Sequence, residues 1–263
     1  MDSEQLRLGG IERLLGTSNL KQLQAASVMI VGVGGVGSWT VEALARSGVG
    51  RLILVDLDDV CISNTNRQLH ALSSTVGQQK IDVLRARCLD ISPSINVEVE
   101  HTFATIKTIP ELLAKNPDVV VDAIDQPKNK CILIDESRKR GLGIVTVGGA
   151  GGLTDPTKVQ VDDLSRAYND KLLKRVRKSL RQDYGWPRGD KRWKVKAVFS
   201  SELPVFPSAD GETCANPVQE GPVKLDCASG FGAATYLTGT FGFFAAHLAI
   251  VQIMHRNKGI KES

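Results

Sequence analysis

Paired cysteines are missing from this 263-residue sequence. Its five cysteines, an odd number, lie far apart and form no Cys-x-x-Cys motif; they are Cys61, Cys88, Cys131, Cys214 and Cys227. We therefore expect neither a disulfide framework nor a cysteine-based zinc site. A reducing compartment, the cytoplasm, is the expected location.

Targeting features are also missing from the N-terminal segment. Residues 1–10 contain neither a basic start followed by an apolar run nor an Arg/Ser-rich, acid-poor bias. These are the marks of secretory signals and of organellar transit peptides respectively. Export is therefore not expected.

Charge is absent from a long segment near the C-terminus. Residues 228–254 contain no Asp, Glu, Lys or Arg, and a run of this length can span a membrane. The segment nevertheless contains four glycines, three threonines and His247, and it has little flanking positive charge. We interpret it as a buried helix and loop, and we expect no membrane contact.

Short β-branched runs alternate with segments of helical spacing in the first half of the chain. The five predicted strands are 28–31, 52–55, 97–99, 119–121 and 144–147. This alternation predicts an α/β fold of Rossmann-like type, with a mostly parallel sheet and helices on both faces. Beyond Gly148 the sequence is rich in Gly, Pro, Asp and Ser. We therefore divide one continuous domain into residues 1–152 and a loop-rich sub-lobe, 153–263.

The first predicted strand leads directly into a glycine-rich loop. A helix is predicted to begin just after the loop, near Ser38. Glycines let the backbone approach phosphate oxygens, and a helix N-terminus offers unpaired N–H groups to the same phosphates. The sequence therefore predicts a nucleotide site whose cradle is formed by Gly32, Gly34, Gly35 and Gly37.

Asp56 is the second feature of the predicted nucleotide site. It ends the second strand nineteen residues after Gly37, where a carboxylate can accept hydrogen bonds from ribose hydroxyl groups. Both features suit NAD as well as ATP. An NAD-dependent oxidoreductase is therefore an alternative that the glycine loop and Asp56 leave open.

A polar cluster further along the chain favours ATP over NAD. Residues 64–68 are Asn-Thr-Asn-Arg-Gln, and Lys80 follows them. When a carboxylate is adenylated, negative charge builds on the departing pyrophosphate, and Arg67 and Lys80 are of the type that stabilises it. A nicotinamide cofactor releases no pyrophosphate, so it has little need for these cations. We therefore predict that Arg67 and Lys80 are catalytic.

Asp125 is the predicted magnesium ligand. It closely follows the fourth predicted strand, and magnesium prefers one or two carboxylates together with phosphate oxygens. Asp122 is the less favoured alternative. Each of the three residues also has an ordinary structural explanation: Arg67 as a surface ion-pair partner, Lys80 as a helix lysine and Asp125 as a helix N-cap. Because all three follow the glycine loop in this order, we favour the functional interpretation.

Basic residues are concentrated between Lys171 and Lys194. This stretch has ten Lys or Arg and two acidic residues, interleaved with Tyr184, Trp186 and Trp193. Basic residues beside aromatic ones are typical of a surface that binds a polyanion with accessible bases. The alternative is a solvated amphipathic helix, because Leu172, Leu173, Val176 and Leu180 form an apolar face.

These residues occur in an order that resembles that of a known enzyme family. The glycine loop, Asp56, Asn66-Arg67-Gln68, Lys80 and Asp125 are similar to the adenylation domain of ubiquitin-activating enzymes and of bacterial molybdopterin and thiamine adenylyltransferases. The resemblance implies that ATP is bound at the loop, with Asn66 and Gln68 among its contacts, and that a carboxylate becomes an acyl-adenylate. It also implies a homodimer in which an N-terminal arginine reaches the partner's site; Arg13 is similar in position, and Arg7 is the fallback.

Three later motifs narrow the resemblance to the tRNA threonylcarbamoyladenosine dehydratases. They are Leu-Asp-Asp-Val-Cys at 57–61, Gly-Gly-Ala-Gly-Gly at 148–152 with Asp-Pro-Thr at 155–157, and residues 226–235. The resemblance implies ATP-dependent cyclisation of a threonylcarbamoyl side chain beside the anticodon, with net loss of water. The expected polyanion is then tRNA, not DNA, and its predicted contacts are Lys174, Arg177 and Arg181.

Several alternatives and details stay open at this stage. The chain could instead activate a ubiquitin-like sulfur-carrier protein, although the zinc cysteines of many such adenylyltransferases are absent. A non-catalytic nucleotide-sensing or membrane-attached module is a further alternative. Neither an alkali metal ion among the glycine-rich loops nor a cysteine desulfurase or sulfur-acceptor partner is decided by the sequence.

Overall fold

One seven-stranded sheet organises the computed structural model, which describes residues 3–208, 210–214 and 231–256. The strand order is β3-β2-β1-β4-β5-β7-β6, and all neighbours are parallel except the edge strand β6. The strands are β1 (Ser27–Val31), β2 (Arg51–Asp56), β3 (Asn96–His101), β4 (Val119–Asp122), β5 (Gly143–Val147), β6 (Val159–Asp163) and β7 (Lys196–Ser200). The α/β, Rossmann-like prediction is confirmed.

Helices cover both faces of this sheet. Those described are α1 (Ser3–Leu15), α2 (Thr17–Ala25), α3 (Gly35–Arg46), α4 (Lys80–Ile91), α5 (Ile109–Leu113), α6 (Pro127–Lys139), α7 (Lys171–Asp183) and α8 (Thr235–Arg256). A short hairpin, β8 (Phe206–Pro207) with β9 (Thr213–Cys214), lies outside the main sheet.

The period-two alternation of the strands creates two hydrophobic cores. In β1, Val28 and Ile30 join the core beneath α3, α4 and α8, whereas Met29 and Val31 join the core beneath α5, α6 and α7. Because both faces of a central parallel strand are buried, such strands are almost continuously apolar. This is why the five strands of the first half could be predicted from sequence.

The second half of the chain completes the same sheet. β7 pairs with β5, and β6 pairs with β7 in the antiparallel direction. Neither strand was predicted, because the loop-rich composition after Gly148 hides them. Strands from both sides of residue 152 therefore share one sheet.

The uncharged C-terminal segment forms α8, which packs mainly on α3. The two helices approach closely at Gly242, where a Cβ atom would lie 2.7 Å from the Cβ of Trp39 and from the carbonyl oxygen of Val36. Among the described residues α8 is the one helix long and apolar enough to cross a membrane. However, 56% of its most apolar 18-residue stretch is buried inside the protein. Its packing agrees with the buried-helix interpretation; residues 228–230 lie outside the described residues.

Candidate active site

The glycine loop lies where the strand order reverses, between β1 and β4. Ligands of open α/β sheets bind at such a switch point, outside the carboxyl ends of the strands. Gly32 has a φ of 85°, and a Cβ atom there would lie 2.9 Å from the carbonyl oxygen of Ala123. At Gly37 a Cβ atom would lie 1.9 Å from the carbonyl oxygen of Gly32. Glycine is required at both positions, and α3 begins within the loop at Gly35.

Asp56 fastens the glycine loop to the end of β2. Its Oδ2 accepts a hydrogen bond of 2.8 Å from the backbone N–H of Val33, and its Oδ1 accepts bonds of 2.9 Å from Leu57 and Asp58. An ionised carboxylate has about four acceptor positions, so three backbone donors leave capacity for one more bond. Asp56 therefore shapes the loop, and the ribose contact predicted for it stays a prediction.

Arg67 lies beside the end of the glycine loop that leads into α3. Its Cγ is 3.7 Å from the position that a Cβ of Gly35 would occupy, and Gln68 Nε2 is 3.7 Å from the corresponding position at Gly34. Arg67 Nη1 donates to the carbonyl of Ser63 at 2.8 Å and to Asn66 Oδ1 at 2.9 Å. No carboxylate pairs with Arg67 in the described part of the chain, so the predicted alternative of a surface ion pair is not observed there.

The N-terminus of α8 holds this arginine loop in place. Thr235 Oγ1 donates to the backbone carbonyl of Asn66 at 2.6 Å, and Thr238 Oγ1 donates to the carbonyl of Arg67 at 3.0 Å. Asn66 Nδ2 donates in turn to the carbonyl of Ala233 at 2.8 Å. These threonines were singled out only as polar residues of an apolar segment, so their positioning role was missed.

Lys80 is the first residue of α4, and its side chain is buried. Its Nζ donates to Asp58 Oδ2 at 2.8 Å, and its backbone N–H donates to the carbonyl of Asp58. The backbone N–H of Asp58 donates in turn to Asp56 Oδ1. The ammonium group of Lys80 therefore lies at the same edge of the sheet as the glycine loop. An ordinary helix lysine would extend into solvent, and Lys80 does not.

Asp125 lies in the exposed loop between β4 and α6. The preceding residues Ala123 and Ile124 pack against Gly32, which brings the loop to the nucleotide cradle. The N-cap of α6 is Gln126, so Asp125 is not the helix cap considered as its ordinary role. A single exposed carboxylate at this place fits the coordination that magnesium adopts with phosphate oxygens.

Asp122, the less favoured magnesium ligand, belongs to a buried ion pair. It is fully buried, and its Oδ2 lies 2.8 Å from Lys130 Nζ and accepts a bond of 2.7 Å from Thr146 Oγ1. Lys130 Nζ also donates to the backbone carbonyl of Asp122 at 3.1 Å. The preference for Asp125 is consistent with this. Lys130 could not be identified from sequence, because a lone lysine on a helix gives no signal of burial.

A histidine is ordinarily exposed or hydrogen-bonded, and within the described part of the chain His70 is neither. Its ring is buried, and neither ring nitrogen has a hydrogen-bond partner among the described residues. Burial, with the charge of Lys80 as a second cause, lowers its pKa to about 4. His70 is therefore neutral at physiological pH.

The basic helix α7 has the predicted amphipathic form. Leu173, Val176 and Leu180 are buried, while Lys174 is exposed and Arg177 and Arg181 are half-buried. Burial, followed by the charge of Arg181, lowers the pKa of Arg177. Each guanidinium has a buried nitrogen without a partner among the described residues. Within the described ranges these three cations form no ion pair, although Asp170 lies close enough to Arg177 to act on its pKa.

The prediction that aromatic residues interleave with the cations on an accessible surface is wrong. Trp186 and Trp193 are 4% and 2% exposed, and their rings meet edge to face at 5.0 Å inside the second core. Their indole N–H groups donate to Asp135 and to the carbonyl of Pro187. Arg138 and Arg181 cover the outer sides of this pair. The buried tryptophan rings therefore pack beneath these two guanidinium groups and are not available to stack on bases.

Arg13 is not brought to the glycine loop of its own chain. It is exposed on α1, and its Nη1 lies 3.5 Å from the Cβ position of Gly9 on the same helix. The fallback, Arg7, donates to the carbonyl of Ile91 at the far end of α4. Arg7 thus lies near the amino edge of the sheet, opposite the nucleotide cradle.

The four described cysteines form no disulfide bond with one another and differ in their exposure. Cys61 is exposed and Cys214 half-buried, whereas Cys88 and Cys131 are buried, and burial raises the pKa of each of these two to about 12. No group of three or more His, Cys, Asp or Glu side chains that could hold a metal ion occurs within residues 3–208, 210–214 and 231–256. Cys227 lies outside the described residues.

Known proteins match this chain over nearly its whole length. The ThiF family model matches residues 7–258. The tRNA threonylcarbamoyladenosine dehydratase of Escherichia coli K12 is 44% identical, with 96% of this chain and 95% of the relative covered. The Haemophilus influenzae enzyme of the same name is 42% identical, with 97% and 96% covered.

Solved structures agree with the sequence relatives. The E. coli dehydratase in complex with ATP has a TM-score of 0.87 at 38% identity, covering 100% of this chain and 99% of that one. Its complex with AMP has the same TM-score at 39% identity, with 98% of each chain covered. With the ATP-type site described above, these matches place the chain in the ThiF family, among the tRNA threonylcarbamoyladenosine dehydratases.

Proposed function

We propose that this protein uses ATP to dehydrate threonylcarbamoyladenosine in tRNA, closing its side chain into a ring through an acyl-adenylate. The observation that carries the proposal is the placement of Arg67 and Gln68 against the glycine loop at the switch point of the sheet. Asp125 directly follows the two residues that pack against Gly32. Relatives that share more than 40% of the sequence bear this activity in their names, and solved homologues hold ATP or AMP. The cytoplasm, where tRNA and ATP are available, is the proposed location.

The reaction consists of two balanced steps. A carboxylate oxygen of the threonyl group attacks the α-phosphorus of ATP, the bond to the β-phosphate oxygen breaks, and pyrophosphate leaves. A nitrogen of the same side chain then attacks the acyl carbon, AMP departs, and the nitrogen loses its proton. Arg67 and Lys80 stabilise the charge that grows on pyrophosphate. Because nucleophile and electrophile belong to one substrate, ring closure needs no external nucleophile.

Magnesium is the proposed counter-ion of the ATP phosphates. Asp125 offers an exposed carboxylate beside the cradle, which suits an ion that keeps several waters and few protein ligands. When bound, the ion would neutralise phosphate charge. The residues of the chain then orient the nucleotide: the glycine loop by its N–H groups, and Asn66 and Gln68 by their amides.

Chromatography of nucleosides tests this function directly. Purified protein, ATP and tRNA bearing threonylcarbamoyladenosine should yield the cyclic nucleoside, with AMP and pyrophosphate released in equal amounts. The same tRNA without the modification should release neither. Release of pyrophosphate with a ubiquitin-like sulfur-carrier protein, and none with modified tRNA, would instead support the alternative adenylyltransferase.

The homodimer is part of this proposal. Exposed aromatic residues follow the outer side of α8, with Tyr236, Phe243 and Phe244 exposed by 55%, 51% and 37%. Apolar surface of this kind is typical of a face that another subunit covers. A second copy would also bring its own Arg13 to the active site of this chain.

Mixed dimers test the role of Arg13. Arg13→Ala and Lys80→Ala should each be strongly impaired alone, because each homodimer lacks one component at both sites. Mixing and re-forming the two should restore activity, since one site of each heterodimer then has both residues. If Arg13 acted within its own chain, or not at all, mixing would restore nothing beyond the separate activities. Arg7→Ala serves as the control.

Helix α7 is the proposed tRNA contact. Replacing Lys174, Arg177 and Arg181 together by alanine should weaken tRNA binding and flatten its dependence on salt. The log–log slope should fall by about 2 to 3, since each lost phosphate contact removes roughly 0.7 to 0.9. The charge-matched control removes the exposed cations Lys21, Arg85 and Lys107. Equal slopes in both variants, measured by fluorescence anisotropy, would contradict the assignment.

A further inference from the structure

A cavity of about 120 Å³ lies beside the start of α7. Its walls are mostly aliphatic and aromatic, formed by Leu153, Leu172, Pro204 and Phe231, with Lys171 at the same site. The cavity is smaller than the roughly 300 to 1,000 Å³ of pockets that hold drug-sized ligands, and it suits a single planar ring system. None of these residues has a role in the ATP cradle described above.

The cavity opens on the same edge of the sheet as the ATP site. Gly149 and Gly151 line it just after β5, and Ser200 lines it at the end of β7. In the sheet β5 is the neighbour of β4, whose following loop contains Asp125, and β7 is the next strand outward. Adjacent strands are about 4.8 Å apart, so the cavity lies on the order of 5 to 10 Å along the edge from that loop.

Close backbone packing fixes the aromatic wall of this cavity. A Cβ atom at Gly151 would lie 2.9 Å from the Cβ of Phe231, and one at Gly152 would lie 2.8 Å from its Cδ1. The backbone N–H of Gly152 also donates to the carbonyl of Gly232 at 2.7 Å. Behind Phe231, the ring of Phe206 lies at 5.0 Å. Any side chain at position 151 or 152 would therefore clash with Phe231 in its observed position.

Lys171 lines the same cavity and has no ion-pair partner among the described residues. Lys171 Nζ lies 4.5 Å from the centre of the Phe206 ring, and no carboxylate is within ion-pair distance of it in the described segments. The neighbouring carboxylate, Asp170, is engaged by the backbone N–H groups of Gly149 and Leu173. Glu202 also lines the cavity, and its carboxylate accepts bonds from the backbone N–H groups of Thr154 and Asp155. The cavity therefore combines an aromatic wall, aliphatic sides, the Lys171 ammonium group and two carboxylates that backbone N–H groups already engage.

We infer that this cavity receives the adenine ring of the modified nucleoside, turned out of the anticodon loop. The inference rests on the proposed function and adds the site of the substrate base. Enzymes that act on a base hold it in a pocket between aromatic or aliphatic side chains, as Phe231 and Leu153 would do here. Lys171 would face the phosphate of the same nucleotide. The threonylcarbamoyl group would then extend from the cavity along the sheet edge toward the ATP.

Binding of two synthetic anticodon stem-loops tests this inference. One carries threonylcarbamoyladenosine and the other an abasic residue at the same position. The wild-type protein should bind the modified RNA about 10-fold more tightly, which is the contribution expected of one stacked base. Phe231→Ala should bring this ratio close to one, whereas Phe231→Tyr, which keeps the ring, should retain it. Leu203→Ala, an exposed neighbour outside the cavity, is the matched control.

Gly151→Ala provides a second, independent test, because its Cβ displaces the Phe231 ring without removing it. It should lower the ratio as Phe231→Ala does, and neither variant should change the KM for ATP. A ratio that stays near 10 in both variants would overturn the inference. So would a raised KM for ATP, which would assign the cavity to the nucleotide. Failure of the wild-type protein to convert modified tRNA would instead refute the proposed function.

Discussion

Lys80→Ala and Arg67→Ala should each slow acyl-adenylate formation by roughly 30- to 1000-fold, or about 2 to 4 kcal/mol of transition-state stabilisation. Both cations stand at the edge of the sheet that the glycine loop occupies, Lys80 through Asp58 and Arg67 beside Gly35. The charge on pyrophosphate grows only as the bond to it breaks. The loss should therefore appear in kcat more than in the KM for ATP.

Pyrophosphate release with modified tRNA is the measurement for both variants. Two controls remove cations that are paired with carboxylates outside the nucleotide site: Lys115→Ala, from the Glu98 and Glu100 pairs, and Arg46→Ala, from the Glu42 pair. These controls should keep wild-type rates. Wild-type rates in Lys80→Ala or Arg67→Ala would exclude that residue from catalysis, provided that its melting temperature matches the wild type.

The parts of the site that could be predicted from sequence depend on local backbone geometry. A glycine loop between a strand and a helix predicts a tight turn in which the backbone passes close to other atoms. Gly32 and Gly37 confirm this turn, because a Cβ atom at either position would clash with a carbonyl oxygen. Parallel strands buried on both faces give continuous apolar runs, so β1 and β4 were recognisable. The order of strands then places the loops after them at one edge.

The parts that could not be predicted depend on contacts between distant segments. Trp186 and Trp193 are near basic residues in sequence, but their indoles pack inside the second core. β6 and β7 lie in a loop-rich region, and they are defined by the pairing of β7 with β5 and of β6 with β7. Lys130 lies on a helix with polar neighbours, and its burial follows from the position of Asp122 on another element. Periodicity within one segment contains no information on such pairs.

The buried ion pair of Asp122 and Lys130 gives the largest expected effect on stability. Lys130→Met should reduce the free energy of unfolding by about 3 to 5 kcal/mol near neutral pH, because it leaves a buried carboxylate without its counter-charge. The pair also connects β4 to the loop before α6, since Asp122 Oδ1 accepts a bond from the backbone N–H of Ile124. We therefore expect the KM for ATP to rise in the folded variant as Asp125 becomes less well placed.

The pH dependence of this destabilisation identifies its cause. Burial raises the pKa of Asp122, and in the wild-type protein Lys130 opposes that rise. Without Lys130 the folded pKa is higher still, so above the ordinary aspartate pKa of about 3.9 the folded state binds more protons than the unfolded state. Stability of Lys130→Met should therefore fall as pH rises from about 4 toward that folded pKa.

Urea unfolding at pH 5 and pH 8 measures this dependence. Lys130→Met should lose more stability at pH 8 than at pH 5, relative to the wild type at each pH. The double variant Lys130→Met with Asp122→Asn has no carboxyl to titrate at this position and keeps a side chain of the same shape. Its destabilisation should be smaller and nearly equal at the two pH values. Equal losses in the single variant would mean that packing, and not an uncompensated buried charge, makes Lys130 necessary.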